Sequence, residues 1–262
     1  MEYDPSIEIA EDPDVYPPSD DSILLIESLD VHPGERVLEV GCGSGVVSIH
    51  CALNGCDVTA VDINPRAVDL ARRNAEANGA SFPVIESDVY GSVTGTFDTI
   101  VFNLPYLPVD EEGLLAKAWS GGPDGLGPLP RLLEGASEHL DRDGRVVVVV
   151  SSLIEPHALH EALAPFDVRT LGELKLFFER LSVLEIKGFR CQSDLPRAYA
   201  SSMNLDADAA SAPPQPVART LRAGLRVRRQ AILQQRRPHG REAGCGRRLV
   251  QKRRGLGRLR PP

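Results

Sequence analysis

The chain has 262 residues, 42% of them hydrophobic, which is enough to bury a core in one large domain or two small ones. No run of 18 or more apolar residues occurs, and the acidic segment 1–21 is unlike a secretory or transit peptide, so we expect a cytoplasmic protein without a membrane span. The five cysteines (42, 51, 56, 191 and 245) include no Cys-x-x-Cys pair, which predicts reduced thiols and argues against a zinc site within the chain.

The net charge of −8 conceals two oppositely charged parts. Residues 1–200 carry 34 acidic and 14 basic side chains, whereas residues 201–262 carry 3 acidic and 15 basic ones. The acidic, lysine-poor first part is similar in composition to proteins of salt-loving organisms, and it would repel a phosphate backbone. The segment 192–262 lacks the pattern of a core, so we predict a disordered tail. That tail is either a nucleic-acid-binding segment or an aberrant, out-of-frame terminus.

The first predicted helix follows a segment rich in Asp, Ser and Pro. It runs from Ile23 to about Leu29, and Ser19 or Asp20 is placed to cap its N-terminus. The preceding residues, 14–22, could also form a lid over a ligand. Periodicity alone does not decide between these two roles.

The glycine-rich segment after the first predicted strand is a candidate ligand loop. Strand 36–40 leads into Gly41, Gly43 and Gly45, and a helix is predicted over 46–53. Glycine lets the backbone approach a ligand closely, and a helix N-terminus offers free N–H donors. The spacing is G-x-G-x-G rather than the G-x-G-x-x-G of dinucleotide folds, so the loop alone is weak support for a nucleotide site.

Acidic residues follow the next two predicted strands. Strand 57–61 ends on Asp62, which could accept both ribose hydroxyls of a nucleoside or simply precede a helix capped by Asn64. That helix is predicted to end at 78–79. A short strand at 84–85 is followed by Asp88, which is either an acceptor for an exocyclic amino group or a turn residue.

The segment 97–106 is the strongest candidate for chemistry. Residues 99–102 form an apolar, β-branched run that is typical of a buried strand, and it leads into Asn103-Leu104-Pro105-Tyr106. The carboxyl end of such a strand is where open α/β sheets bind ligands. An Asn with a nearby Tyr ring suits a planar amide or an aminopurine, although an ordinary Asn-x-Pro turn is the alternative.

The remaining elements complete an alternating pattern. A Gly- and Pro-rich loop at 118–125 is followed by a helix over 129–140, a valine-rich strand over 145–150 and a helix over 155–163. His157 and His160 lie on that helix with no evident third ligand, which favours a solvated face over a metal site. A last strand over 177–186 is predicted to pair antiparallel at the sheet edge. The pattern predicts a doubly wound, mostly parallel α/β sheet in residues 1–191.

The order of the glycine loop, Asp62, Asp88 and the Asn-x-Pro-Tyr turn resembles class I S-adenosylmethionine-dependent methyltransferases, which have a Rossmann-like fold. The archaeal and eukaryotic branch of the HemK family is most similar. Its motifs match Val15–Ser22, Leu38–Val47, Asp62–Pro65, Ala118–Gly122 and Leu181–Leu184. The resemblance covers residues 14–188. It departs at Leu104, because the family pattern is Asn-Pro-Pro-Tyr and leucine fixes the backbone φ less tightly.

The resemblance implies an N5-glutamine methyltransferase that acts on the GGQ loop of a class 1 translation release factor and pairs with a small zinc-binding activator subunit. The alternatives are an adenine-N6 methyltransferase of DNA or RNA and a catalytically silent cofactor-binding module. The implied catalytic residues are Asn103, Leu104, Pro105 and Tyr106. The implied S-adenosylmethionine-binding residues are Tyr16, Pro18, Asp21, Ser22, Glu39, Gly41, Gly43, Gly45, Asp62, Asp88, Val89 and Asn103.

Overall fold

The computed structural model describes residues 1–189, so the predicted basic tail at 192–262 and the domain boundary at 191 lie outside the described residues. Within the described part, strands and helices alternate from Arg36 to Lys187, except that two pairs of strands, at 84–103 and at 167–187, follow each other without a helix between them. The strands are β1 (Arg36–Val40), β2 (Asp57–Asp62), β3 (Val84–Glu86), β4 (Phe97–Asn103), β5 (Leu140–Ser151), β6 (Asp167–Lys175) and β7 (Arg180–Lys187). The helices are α1 (Asp20–Ser28), α2 (Val46–Leu53), α3 (Pro65–Ala77), α4 (Leu129–His139) and α5 (Pro156–Leu163), with a 3-10 turn at Ala116–Ala118.

The described strands form one sheet in the order β3-β2-β1-β4-β5-β7-β6, which confirms the predicted doubly wound fold. The first five strands are parallel, whereas β7 pairs antiparallel with both β5 and β6. Strand order reverses at β1, which pairs with β2 on one side and β4 on the other. In register, Val40 is opposite both Val61 and Phe102, so the carboxyl ends of these three strands lie side by side. Open sheets of this kind bind ligands at such a reversal point.

Local sequence explains several helix ends near this edge. Asn64 caps α3 by accepting a hydrogen bond from the Arg66 backbone N–H at 3.1 Å, and Pro65 occupies the first helical position. Ser19 is the N-cap of α1, and its own N–H donates to Ser22 Oγ at 3.4 Å. None of the helices within residues 1–189 combines the length and apolar content needed to cross a membrane.

The structure differs from the sequence-based expectation in the last third of the sheet. β5 begins at Leu140 rather than at 145, and β7 begins at Arg180, so Phe177 and Phe178 lie in the preceding turn. β7 is not the edge strand, because β6 pairs on its outer side. β6 is not predicted from the sequence, because this strand is largely exposed and lacks alternating apolar residues.

Candidate active site

A cavity of about 560 Å³ opens at the carboxyl ends of β1, β2 and β4, a size within the usual range of ligand sites. Segment 14–22 lines one wall, and segments 102–107 and 114–131 contribute to another. Of the catalytic and cofactor-binding residues that the HemK resemblance implies, all but Gly45 line this cavity. Folding therefore brings together groups that are up to 90 positions apart, from Tyr16 to Tyr106.

The glycine loop contacts both β4 and α3. Gly41 has φ +66°, and a Cβ there would lie 2.6 Å from the Phe102 ring, so only glycine fits between the loop and the end of β4. Gly45 has φ +82° and is the N-cap of α2, where a Cβ would lie 3.0 Å from Ala71. Gly45 therefore serves close packing between α2 and α3 and does not line the cavity.

Asp62 anchors the glycine loop and still has free acceptor capacity. Its two carboxylate oxygens accept hydrogen bonds from the backbone N–H groups of Gly43 and Asn64, each at 2.8 Å. Burial raises the pKa of Asp62, and these backbone bonds oppose that shift. A carboxylate has about four lone-pair sites, so Asp62 keeps acceptor capacity for ligand hydroxyls.

Glu39 lines the cavity, but it is only 3% exposed and its carboxyl is bonded to the start of α2. The backbone N–H of Ser48 donates to its carboxyl at 2.9 Å, and the Ser48 hydroxyl forms a second, very short bond to the same oxygen. Burial raises the pKa of Glu39 to about 8, and the nearby Asp62 charge adds to this effect, whereas the Ser48 bonds oppose it. The main contact of Glu39 therefore fixes the start of α2.

This raised pKa predicts how stability depends on pH. Between about 4.5 and 8, the folded state keeps a proton on Glu39 that the unfolded state has released. The free energy of unfolding therefore falls as pH rises through this window. From pH 5 to pH 8, the free energy of unfolding of wild type should fall by roughly 2–4 kcal/mol more than that of Glu39→Gln, which has no proton to lose. Urea unfolding of both proteins at the two pH values measures this difference, and parallel pH profiles would contradict the assignment.

Asp88 and Val89 form the third part of the wall. The Asp88 carboxylate is half-exposed and pairs with the Arg131 guanidinium on α4 at 3.2 Å. Val89 has φ +51°, a conformation that a β-branched residue rarely adopts. Strained backbone of this kind concentrates at ligand sites. Arg131 was not anticipated from the sequence, because nothing in its local pattern separates it from a solvated helix residue.

Asn103 is the last residue of β4 and carries an unsatisfied polar atom. Its side-chain oxygen is buried and has no hydrogen-bond partner, and Asn103 is one of the residues that line the cavity. A buried acceptor without a partner lowers the stability of a protein by roughly 1–3 kcal/mol. The Asn103 oxygen is therefore available to a hydrogen-bond donor of a ligand. Leu104, the next residue, is 2% exposed and buries its side chain in the main core, which anchors the turn.

Tyr106 completes the turn and is hydrogen-bonded to α1. Its hydroxyl donates to Asp21 Oδ2 at 3.1 Å, and the hydroxyl of Tyr16 donates to the same oxygen at 3.3 Å. The other oxygen of Asp21 accepts hydrogen bonds from the Ser22 N–H at 2.7 Å and the Ser22 hydroxyl at 3.2 Å. Asp21 therefore connects Tyr16 and Tyr106, and both Asp21 and Ser22 also line the cavity.

The loop after the turn folds back along the cavity. The backbone of Leu107 bonds to that of Trp119 and Gly121, and the Trp119 indole donates to Glu111 at 3.1 Å. A Cβ on Gly121 or Gly127 would lie within 2.7 Å of the Pro105 carbonyl oxygen. These glycines let the loop lie directly against the Asn-Leu-Pro-Tyr turn and support it.

The two histidines of α5 do not contribute to the cavity wall. His157 Nδ1 lies 3.4 Å from the Glu161 carboxylate, and both side chains are exposed. Within residues 1–189, no group of three or more His, Cys, Asp or Glu side chains is arranged to hold a metal ion.

Comparison with known proteins places the sequence among methyltransferases. Residues 19–173 match the family described as methyltransferase small domain. A "Putative protein N5-glutamine methyltransferase" of Methanocaldococcus jannaschii is 41% identical over 179 residues, which are 66% of this chain and 91% of that protein. The ribosomal RNA small subunit methyltransferase C of Chromohalobacter salexigens is 35% identical over 136 residues, 52% of this chain. Only 37% of that longer enzyme is matched.

A solved structure has the same fold. The Mtq2–Trm112 complex of E. cuniculi, described as responsible for methylation of the eRF1 translation termination factor, aligns with a TM-score of 0.54. The alignment covers 66% of this chain and 98% of that one at 21% identity. A methyltransferase from Pyrococcus furiosus aligns with a TM-score of 0.50 and 25% identity, covering 63% of this chain and 80% of that one.

Proposed function

The chain belongs to the methyltransferase small domain family and is an S-adenosylmethionine-dependent N-methyltransferase, and we propose that its acceptor is a glutamine side-chain amide, the glutamine of the GGQ loop in a class 1 translation release factor. The likeness to the M. jannaschii protein supports the glutamine acceptor. The Asn-Leu-Pro-Tyr turn, with the match to the HemK branch, supports the release factor.

One observation carries this proposal: the unpartnered, buried side-chain oxygen of Asn103 at the cavity. A glutamine amide brings two N–H donors in one plane. One of them can satisfy the Asn103 oxygen and remove the cost of leaving it unpaired. The other can be accepted by the backbone carbonyl of Leu104, the next residue of the turn.

These two acceptors also account for catalysis at a poor nucleophile. The lone pair of an amide nitrogen is delocalised into the carbonyl. Two oxygen acceptors aimed at its hydrogens orient the nitrogen and stabilise the positive charge that develops on it. The Tyr106 ring, which is 4% exposed, lies in the same turn and can cover the amide plane. Alignment of this kind is worth up to roughly 7–11 kcal/mol in well-oriented systems. The methylated nitrogen is then a strong acid and releases its proton to water, so we assign no general base.

The residues of the cavity fit S-adenosylmethionine. Asp62 keeps acceptor capacity for the ribose hydroxyls, and the strained Val89 with Asp88 can receive the adenine. Gly41 and Gly43 leave room for the close approach of the methionine end, and Asp21 and Ser22 close the site from α1. When bound, S-adenosylmethionine supplies an electrophilic methyl group on a sulfonium that leaves as a neutral thioether.

Charge favours a protein acceptor over a nucleic acid. Five acidic side chains besides the protonated Glu39 line the cavity (14, 21, 62, 88 and 124), whereas its basic lining residues within 1–189 are Lys117 and Arg131. Phosphate backbones are bound by Lys and Arg clusters, so an adenine or guanine in RNA would approach this surface against its charge. The similarity to ribosomal RNA methyltransferases keeps RNA as the second candidate, although the chain spans about a third of those enzymes.

We further propose that a small zinc-binding activator subunit pairs with the chain, as the HemK resemblance implies. The E. cuniculi neighbour is itself a two-chain complex. Co-purification of a tagged chain with a candidate activator tests this partner separately from the acceptor.

The acceptor is tested by co-expression of the chain, the activator and a class 1 release factor, followed by mass spectrometry of the GGQ peptide. The proposal predicts one added methyl on the glutamine. The matched control is the same release factor with that glutamine replaced by glutamate. Methylation of ribosomal RNA with an unmodified GGQ peptide would favour the second candidate instead.

A further inference from the structure

We propose that Asp21 is a positioning residue that holds the Tyr106 ring over the acceptor and links it to the cofactor side of the cavity through Tyr16. This inference rests on the proposed function for the role of the Tyr106 ring. The hydrogen bonds that carry it are independent of which acceptor is used.

The geometry joins two walls of the cavity at one atom. Tyr16 precedes α1, and Tyr106 follows β4, yet both hydroxyls donate to the same carboxylate oxygen, Asp21 Oδ2, at 3.3 and 3.1 Å. Asp21 is 2% exposed and Tyr106 is 4% exposed, so water competes little for these bonds. Ser22 fixes the other oxygen of Asp21 through its N–H and its hydroxyl. The carboxylate therefore has a defined orientation toward both rings.

Such a bridge restrains the ring and, through it, the turn that carries the ring. A Tyr side chain rotates about two torsion angles, and a charge-assisted bond to a buried carboxylate holds it in one orientation. This restraint matters here because Leu104 stands where the HemK pattern has proline and leaves φ less fixed. The bond from Tyr106 to Asp21 thus restores rigidity to the turn from outside it.

The shared oxygen also couples the two sides of the site. A ligand that orders Tyr16 at the cofactor side also orders Asp21, and through it Tyr106 at the acceptor side. We therefore expect cofactor binding to reduce motion of the turn 103–107, and we expect loss of either hydroxyl to weaken this effect.

The first test uses single-atom variants and steady-state kinetics on the GGQ release factor. Tyr106→Phe keeps the ring but removes the bond, and should lower kcat by roughly 10- to 100-fold, the effect of losing one hydrogen bond to a charged group. Asp21→Asn should do the same. The kcat of the double variant should be no lower than that of the worse single variant, because each single change already breaks the Tyr106–Asp21 bond. Multiplied losses, or wild-type kcat in Tyr106→Phe, would overturn the proposal.

Tyr90→Phe is the matched control. The Tyr90 hydroxyl donates to the Leu132 carbonyl at 3.0 Å, and Tyr90 does not line the cavity. This variant loses a comparable partly buried hydroxyl bond, so its kcat should stay within about twofold of wild type. If kcat fell as much in Tyr90→Phe as in Tyr106→Phe, the bond from Tyr106 to Asp21 would have only a general structural role.

The second test needs no acceptor. Hydrogen exchange of a peptide spanning residues 103–107 should rise about tenfold in Tyr106→Phe and in Asp21→Asn, with the thermal midpoint measured to exclude global unfolding. Added S-adenosylmethionine should slow this exchange in wild type, and less so in Tyr16→Phe. Unchanged exchange would refute the bridge. If wild type does not methylate the GGQ peptide, the proposed function fails, while the exchange data still decide the role of Asp21.

Discussion

Asn103→Ala is expected to lower kcat by at least roughly 10²- to 10³-fold, the typical cost of removing one preorganised hydrogen-bonding group from an active site. The same change should raise the free energy of unfolding, because it removes a buried acceptor that has no partner in the structure. A gain of about 1 kcal/mol is the expected size. Affinity for S-adenosylmethionine should weaken only partly, since the other proposed cofactor contacts remain.

This opposite response of activity and stability distinguishes a functional residue from a structural one. Asn54→Ala is the matched control. The Asn54 amide donates to the Val31 carbonyl at 3.0 Å, and Asn54 does not line the cavity. That variant should lose stability and keep kcat. Single-turnover methylation and urea unfolding of both variants give the comparison, and normal turnover in Asn103→Ala would show that the mechanism is wrong.

Asp62→Ala should weaken S-adenosylmethionine binding by roughly 100-fold or more, because each hydrogen bond to a charged acceptor is worth about 1.5–3 kcal/mol. Two ribose hydroxyls are proposed to bind this carboxylate. The variant also loses the bonds from Gly43 and Asn64, so part of the effect reflects a looser glycine loop. Isothermal titration with S-adenosylmethionine measures the total loss.

A ligand change separates these two contributions. Wild type should bind an analogue that lacks the ribose 2′-hydroxyl about tenfold more weakly than S-adenosylmethionine, whereas Asp62→Ala should bind the two equally. Asp57→Ala, at the exposed start of the same strand, should keep wild-type affinity and discrimination. If Asp62→Ala still preferred S-adenosylmethionine over the analogue, the ribose contact would lie elsewhere.

The parallel half of the sheet could be predicted because its residues carry local signals. β1 and α2 have the predicted bounds, and the Asn64 cap with Pro65 marks the start of α3 as expected. Buried parallel strands are continuous apolar runs, so they are recognisable one at a time. β6 could not be recognised in this way, because it is exposed and contains Gly172. A Cβ at Gly172 would lie 2.2 Å from Ser28 Oγ, which shows that this strand is shaped by its contact with α1.

The candidate site was predictable as a set of positions but not as a set of contacts. The order of strand-end residues placed Asp62, Asp88 and Asn103 along one edge, since parallel strands end together. The Asp88–Arg131 ion pair joins residues 43 positions apart, and the Tyr106–Asp21 bond joins residues 85 positions apart. No local pattern encodes such contacts. The burial of Glu39 against Ser48 likewise depends on how α2 sits over β1.

The most direct test of the central claim is the mass of the GGQ peptide from a release factor co-expressed with wild type or with Asn103→Ala. We expect one added methyl on the glutamine with wild type and an unmodified glutamine with the variant. An unmodified peptide with wild type, or equal methylation by the two proteins, would contradict it.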